Sequence, residues 1–327
     1  IKSGATTDDE GAASLTIREL TLNITAGVND AINAEQTLSV ESGNLTITAA
    51  DDAIHCDYDL NIGASGTADP TINIKSCYEG LEGASLNVYS GSITINSTDD
   101  CLNAANSDLT NCGFTMNISG GTITTYSSSG DGFDSNGDLT ISGGTVNVQT
   151  ANAADNEPLD ADGTITISGG TVFAAGGSSG MGMNLSASQA CVAFGGSSGM
   201  GGGANASLAG SGSTVSIKNA SGSAVYSTTA KCGLSYVFFS SPSLTSGGSY
   251  TLYSGATSAA TATAQTGSVS AGMGGGFDGM GGQPGQMPGR PGSGQAPQQP
   301  GSGAPDSAPA APSDAQGGDA AQPPDKA

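Results

Sequence analysis

The chain has 327 residues, 7 basic against 29 acidic side chains and a formal net charge of −22; it holds 53 glycines and no tryptophan. So acidic a surface repels phosphate backbones and anionic bilayers, which excludes nucleic-acid binding, and no run of 18 apolar residues exists to span a membrane. With 11% charged residues and long Thr, Asn and Ser runs, the composition is that of a turn-rich all-β chain, not a mixed α/β enzyme.

Ile1-Lys2-Ser3 reads as the end of a repeat phrase lying 31 residues before Ile32, so an export signal or further coils are expected upstream. The full phrase, an acid two residues before an apolar anchor, then returns six times: Asp30/Ile32, Asp52/Ile54, Glu79/Leu81, Asp100/Leu102, Asp131/Phe133 and Glu157/Leu159. The anchors are 22, 27, 21, 31 and 26 residues apart. A β-rich unit of that length cannot bury an apolar face alone, so successive units must stack into a solenoid with the acids in one column.

Each unit reads as three short strands. The first carries Leu45/Ile47, Ile72/Ile74, Ile93/Ile95, Val146/Val148 and Val172/Ala174, and the third carries Leu60/Ile62, Leu86/Val88, Met116/Ile118, Leu139/Ile141 and Ile165/Ile167. A spacing of two puts these aliphatics on one face and the Thr, Asn and Ser between them on the other. Ser-Gly-Gly at 119–121, 142–144 and 168–170 marks corners. The pattern predicts a three-sheet parallel β-helix over residues 1–175. A β-sandwich would show no fixed offset between acid and anchor, and a helical repeat would need a 3.6-residue period.

Beyond residue 175 the pattern changes. A Gly/Ser/Met phrase at 176–182 repeats at 195–201, and alternating segments at 214–217, 224–226, 236–239 and 250–253 predict a small antiparallel cap within 176–254. Such a cap protects the edges of the last coil. Residues 255–327, rich in Gly, Pro, Gln and Ala, are expected to form a disordered tail.

The acid column is the chemical feature. Neighbouring coils lie about 4.8 Å apart, and two unit charges at that distance repel by roughly 3.5 kcal/mol at an effective dielectric near 20. A second polar column follows each anchor, Asn33, His55, Glu82, Asn103, Asp134 and Asp160, and a third set precedes the first acid, Asn29, Asp51, Asp99 and Asn156. Carboxylate and amide oxygens in such clusters are hard ligands suited to Ca²⁺, and the expected metal ligands are Asp30, Asp51, Asp52, Glu79, Glu82, Asp99, Asp100, Asp131, Asp134, Glu157 and Asp160. The same side chains could instead only brace turns by accepting backbone N–H bonds.

The outward row of the first sheet offers hydroxyls and amides with an occasional ring, a platform for an extended polysaccharide through Asn73, Lys75, Asn96, Tyr126 and Gln149. A plain solvated face is the bland alternative. Catalysis has few candidates. His55 is the one histidine, and Lys75 is the only basic side chain between Arg18 and Lys218, hence the sole base a calcium-dependent polysaccharide lyase could use. Paired acids such as Asp131 and Asp134 could serve a glycoside hydrolase, but every coil supplies acids. Six cysteines, Cys56, Cys77, Cys101, Cys112, Cys191 and Cys232, either pair between rungs, as suits an exported protein, or fill the coils as small buried residues.

Lys75-Ser76-Cys77-Tyr78-Glu79-Gly80-Leu81-Glu82-Gly83, Asp99-Asp100-Cys101-Leu102-Asn103, Ser129-Gly130-Asp131-Gly132-Phe133-Asp134 and the Ile-Ser-Gly-Gly-Thr corners resemble the bacterial carbohydrate-binding β-helix family first characterised in a cellulose-degrading clostridium. The resemblance covers residues 1 to about 254. It implies a right-handed parallel β-helix similar in fold to pectate lyases, bound calcium on the column acids, export to the cell surface or medium, and binding of cellulose or polygalacturonate. Cys56 and Cys101 stand where that family carries Gly or Ala. The leading expectation is a calcium-stabilised, non-catalytic polysaccharide-binding protein. Its rivals are a pectate-lyase-like enzyme and a structural or adhesive solenoid that self-associates through its open N-terminal coil.

Overall fold

A computed structural model describes residues 1–4, 13–64, 69–106, 109, 112–151, 156–177, 183–195 and 207–271. Every regular element among them is a strand.

Three stacks of parallel strands form the solenoid. The first runs through Leu20–Ala26, Gly43–Ala49, Thr71–Cys77, Ser92–Ser97, Thr122–Ser127, Thr145–Thr150 and Thr171–Gly176, each strand bonded to the next. The second follows the acids: Lys2–Ser3, Ile32–Ala34, the starts of Ile54–Ile62 and Leu81–Val88, Leu102–Ala104 and Phe133–Ser135, with Phe133 bridging to Leu159. The third takes Ser14–Ile17, Thr37–Val40, the ends of Ile54–Ile62 and Leu81–Val88, then Thr115–Ile118, Asp138–Ile141, Ile165–Ile167 and the start of Met183–Gly195. The three-sheet parallel architecture is therefore as expected, with seven strands in the first stack.

Alternation explains the core. Ile32, Ile54, Leu81, Leu102, Phe133 and Leu159 are fully buried and stack along the interior, joined by Leu45, Ile47, Ile74, Leu60, Leu86 and Leu139 from the other two walls. Each such side chain contributes roughly 1.5–3 kcal/mol by leaving water. The Ser-Gly-Gly corners require glycine: Gly121, Gly144 and Gly170 have φ of 85°, 80° and 78°, a left-handed conformation that a Cβ disfavours. All six cysteines are unpaired, and the five buried ones, Cys56, Cys77, Cys101, Cys191 and Cys232, fill the interior.

The far end of the solenoid departs from expectation in two ways. The separate antiparallel sheet consists of Ala224–Thr229, Thr214–Asn219, Ser249–Ser254 and Thr257–Thr263 in that order. Tyr236–Ser240, expected in the cap, instead lies antiparallel between Thr171–Gly176 and the end of Met183–Gly195, where its buried Tyr236 and Phe238 join the solenoid core. Two strands, Thr257–Thr263 and Gln265–Ala271, occupy the beginning of the expected tail, because alternating small residues there complete one sheet and pair with Met183–Ala187 of the other. The repeated Gly/Ser/Met phrases fall almost wholly outside the described residues, as does the rest of the tail from 272.

Candidate functional site

The corner between the first and second stacks carries the acids. Backbone bonds lock it into register: Ala31 N donates to Asp52 O at 2.9 Å, Ala53 N to Glu79 O at 3.0 Å, Gly80 N to Asp100 O at 3.0 Å, Cys101 N to Asp131 O at 3.2 Å and Gly132 N to Glu157 O at 2.8 Å. These bonds align Asp30, Asp52, Glu79, Asp100, Asp131 and Glu157 as one column. One step beyond the anchors, Asn33, His55, Glu82, Asn103 and Asp134 form the second column, in register across the parallel ladder.

Three groups among the described residues bring ligand atoms within 4.8 Å of one another: Asp30 with Asp52 and His55; Asp52 with Glu79 and Glu82; and Asp131 with Asp134 and Asp160. Asp51, Asp99, Asp100 and Glu157, expected as ligands, fall outside these groups. Asp100 uses an oxygen to accept from Asp131 N at 2.6 Å, the turn-bracing role, and Asp131 does the same for Glu157 N at 2.5 Å. Asp51 and Asp99 sit half-buried one residue outward, on either side of Tyr78.

Burial makes these carboxylates costly to ionise. It pushes Glu79 and Asp131 up to about 8 and Asp100 up to about 7, with neighbouring acids adding to each shift; burial and then the repulsion of Asp160 raise Asp134 to about 6. Asp52 is likewise raised, first by burial. His55 behaves in the opposite sense. Burial alone would lower it, but Asp52 at 3.2 Å and Glu82 on its Nδ1, and Asp57 at 2.9 Å on its Nε2, hold the imidazolium and raise its pKa to about 11. The sequence placed His55 in the polar column without giving it this role. Its signal was there: the one histidine stands in register between an Asn and a Glu.

Two amide oxygens complete the donor set. Asn103 is buried, its Nδ2 donates to Glu79 Oε2 at 2.9 Å, and its Oδ1 has no hydrogen-bond partner. Asn33 shows the same arrangement at Asp30, with Nδ2 donating at 2.9 Å and Oδ1 buried without a partner. Carboxylate oxygens with the buried, unsatisfied Asn103 oxygen at the Glu79 level, and carboxylate oxygens at the Asp134 level, fit a hard divalent cation. Softer ligands are absent from both of those groups.

The outward row of the first stack divides in two. Asn73 and Lys75 are exposed, and Lys75 is the extra residue of a bulge, because Ile74 pairs with Ile47 and Ile95 whereas Thr48 next faces Ser76 and Ser97 next faces Cys77. Lys75 makes no ion pair with the column among the described residues. Asn96 and Tyr126 are half-buried, Tyr126 packing against the apolar cluster under the cap. Gln149, expected to touch sugar, is covered: its Nε2 donates to Thr229 O at 3.1 Å, its Oε1 accepts from Lys231 N at 2.8 Å, and only 1% of it is exposed. The cap folds back over this end of the sheet, with Tyr226 against Phe173 and Phe239 at centroid distances of 5.1 and 4.9 Å.

The family model of carbohydrate-binding domain-containing proteins matches residues 3–180 and again residues 66–271. Two overlapping matches are natural for a chain that repeats. No curated protein and no solved structure matches the chain.

Proposed function

The chain belongs to the family of carbohydrate-binding domain-containing proteins, and from that premise we propose that it is a calcium-stabilised, non-catalytic protein that holds a plant-type or acidic polysaccharide, such as cellulose or polygalacturonate, outside the cell. The observation that carries the calcium part is the pair of oxygen-only groups, Asp52/Glu79/Glu82 and Asp131/Asp134/Asp160, in which burial makes Asp52, Glu79, Asp131 and Asp134 resist ionising without a cation. Asp52, Glu79, Glu82 and the Asn103 oxygen would hold one ion, and Asp131, Asp134 and Asp160 another. A bound divalent cation would neutralise the ladder and offer coordination positions to sugar hydroxyls or uronate carboxylates.

A lyase reading finds less support. Its base would have to be Lys75, which stands in a bulge on the outer face and is not paired with the acids. The cap likewise withdraws Gln149 and part of Tyr126 from any sugar platform, leaving Asn73, Lys75 and Asn96 as the open stretch.

The test is incubation with insoluble cellulose and with polygalacturonate, in calcium and in chelator, following both pull-down and absorbance of unsaturated product. The proposal expects retention on at least one polysaccharide, with uronate binding lost in chelator and no product. Calcium-dependent product that disappears in Lys75→Ala would replace it with the lyase reading.

A further inference from the structure

The first stack loses its far end to the cap, but the outer face of the third stack lies open. Parallel pairing sets Asp59, Ser85 and Thr115 in one outward row and Asn61, Asn87 and Asn117 in the next, all of them exposed or half-buried. The amides form a ladder. Asn117 Nδ2 donates to Asn87 Oδ1 at 3.1 Å, and Asn87 Nδ2 donates to Asn61 Oδ1 at 3.3 Å and to Ser85 Oγ at 3.2 Å. Such a chain of amides polarises itself and ends on Asn61, whose Nδ2 has no partner among the described residues. Asp59, two residues earlier on the same face, is exposed, and its carboxylate is equally without a partner there. Two exposed rings border the ladder. Tyr58, 40% exposed, sits in the bulge at the leading margin, where Cys56 faces Gly83 but Asp59 faces Ser85. Tyr89, 49% exposed, follows Asn87 by two residues at the trailing margin. Its N donates to Ile62 O at 2.9 Å and Ser119 N donates to Val88 O at 2.8 Å, so Tyr89 stands level with Gly63 and Ser119, which are too small to cover the ring.

The free donor and the free acceptor select the ligand. Asn61 Nδ2 can only donate and an ionised Asp59 can only accept, and at a strand rise of about 3.3 Å per residue their Cα atoms lie roughly 6.6 Å apart. A sugar hydroxyl must reach both from one oxygen, a span of about 5.6 Å between partners. An acetamido group holds its C=O and N–H on opposite edges of a rigid plane and so spans further, with the C=O on Asn61 and the N–H on Asp59. Its methyl group and the C–H faces of the pyranose suit the bordering rings. A uronate is repelled by Asp59, since the one basic side chain on this face among the described residues, Arg18, is taken up by Glu41. We propose that the outer face of the third stack, centred on Asp59 and Asn61 between Tyr58 and Tyr89, is a binding site for a neutral glycan that carries acetamido groups, an N-acetylhexosamine polymer. Such a site rests on the carbohydrate-binding reading of the chain and adds to it a place and a further sugar class.

The experiment is titration calorimetry of the full chain in calcium, with fully N-acetylated chitohexaose and with cellohexaose, which has the same β-1,4 backbone without acetamido groups, for wild type, Asn61→Ala, Tyr89→Ala and Tyr89→Phe. Thermal melting checks folding, and the Tyr89 variants, altered only at an exposed ring, carry the test if Asn61→Ala melts early. Wild type should bind chitohexaose about tenfold or more tighter than cellohexaose. Tyr89→Phe should keep chitohexaose binding within about threefold, whereas Tyr89→Ala and Asn61→Ala should weaken it about tenfold or more. Chitohexaose binding unchanged by Tyr89→Ala, or by a folded Asn61→Ala, overturns the site, and cellohexaose binding as tight as that of chitohexaose overturns the sugar class; in both cases carbohydrate binding stands. Retention on cellulose or polygalacturonate without any binding of chitohexaose overturns this assignment alone. Failure of both probes and of both polysaccharides overturns the parent reading together with this one.

Discussion

The two ends of the acid column present the same backbone geometry and solve the same electrostatic problem differently. Near the N-terminal coils, His55 places a cation between Asp52 and Glu82 and a third acid, Asp57, on its other nitrogen. Three and four rungs on, Asp131, Asp134 and Asp160 crowd together with no basic side chain in contact among the described residues. A β-ladder that repeats a carboxylate at each rung accumulates repulsion in proportion to its length, and one histidine relieves it only locally. On the proposed reading an external cation relieves the far end, and at the near end the His55 proton shares that work with an ion at Asp52, Glu79 and Glu82.

Removing the internal cation should have the largest effect. His55→Gln leaves Asp52 and Glu82 buried without their partner, and breaking a buried pair in this way costs about 3–5 kcal/mol. Chemical denaturation in chelator should show that loss, and saturating calcium should recover much of it by neutralising the Asp52, Glu79 and Glu82 group. A loss that calcium leaves untouched would mean that His55 acts by packing alone.

The pH dependence separates the ends next. Glu79, Asp100, Asp131 and Asp134 titrate in the folded state at about 8, 7, 8 and 6, above ordinary values of 4.5 and 3.8, so the native protein holds more protons than the unfolded chain across roughly pH 4 to 8. Stability must fall as pH rises through that window. His55 carries the same sign: raised from 6.5 to about 11, its contribution is full below pH 6.5 and is lost as pH climbs through 11. Melting temperatures in chelator should therefore decline from about pH 5 to pH 8, and calcium should flatten the decline. A melting temperature that rises over this range in chelator would contradict the burial of these acids.

The smallest effect changes sign with the metal. Asp134→Asn removes a raised carboxylate next to Asp160, so in chelator it should stabilise by about 1 kcal/mol. In calcium it removes a ligand, and the variant should then be less stable than wild type; one saturated site at 100 times its Kd supplies about 2.7 kcal/mol. Paired melts with and without calcium would expose the crossing.

Much of this was legible in the sequence, for a physical reason. The offset of two between acid and anchor fixes both the inward face and the corner position, so the register of Asp30, Asp52, Glu79, Asp100, Asp131 and Glu157 follows from Ile32, Ile54, Leu81, Leu102, Phe133 and Leu159. The offset alone does not say which acids share a site. That depends on which oxygens are already engaged by backbone amides, as at Asp100, and on a one-residue turn outward, as at Asp51 and Asp99. The bulge at Lys75-Ser76 was hidden too, since both residues are polar and either could have continued the alternation. The folding back of the cap left a trace that went unused: Phe173 and Ala175 are apolar at outward positions, which marks that end of the first sheet as covered and explains why Gln149 binds cap backbone.

Calcium titration calorimetry on chelator-treated protein near pH 7.5 tests the central contrast most directly, comparing wild type with the Asp131→Asn/Asp134→Asn double variant. The account predicts saturable calcium binding by wild type and loss of the far-end site in the double variant. Absence of calcium binding by wild type, or an isotherm that the double substitution leaves unchanged, would contradict it.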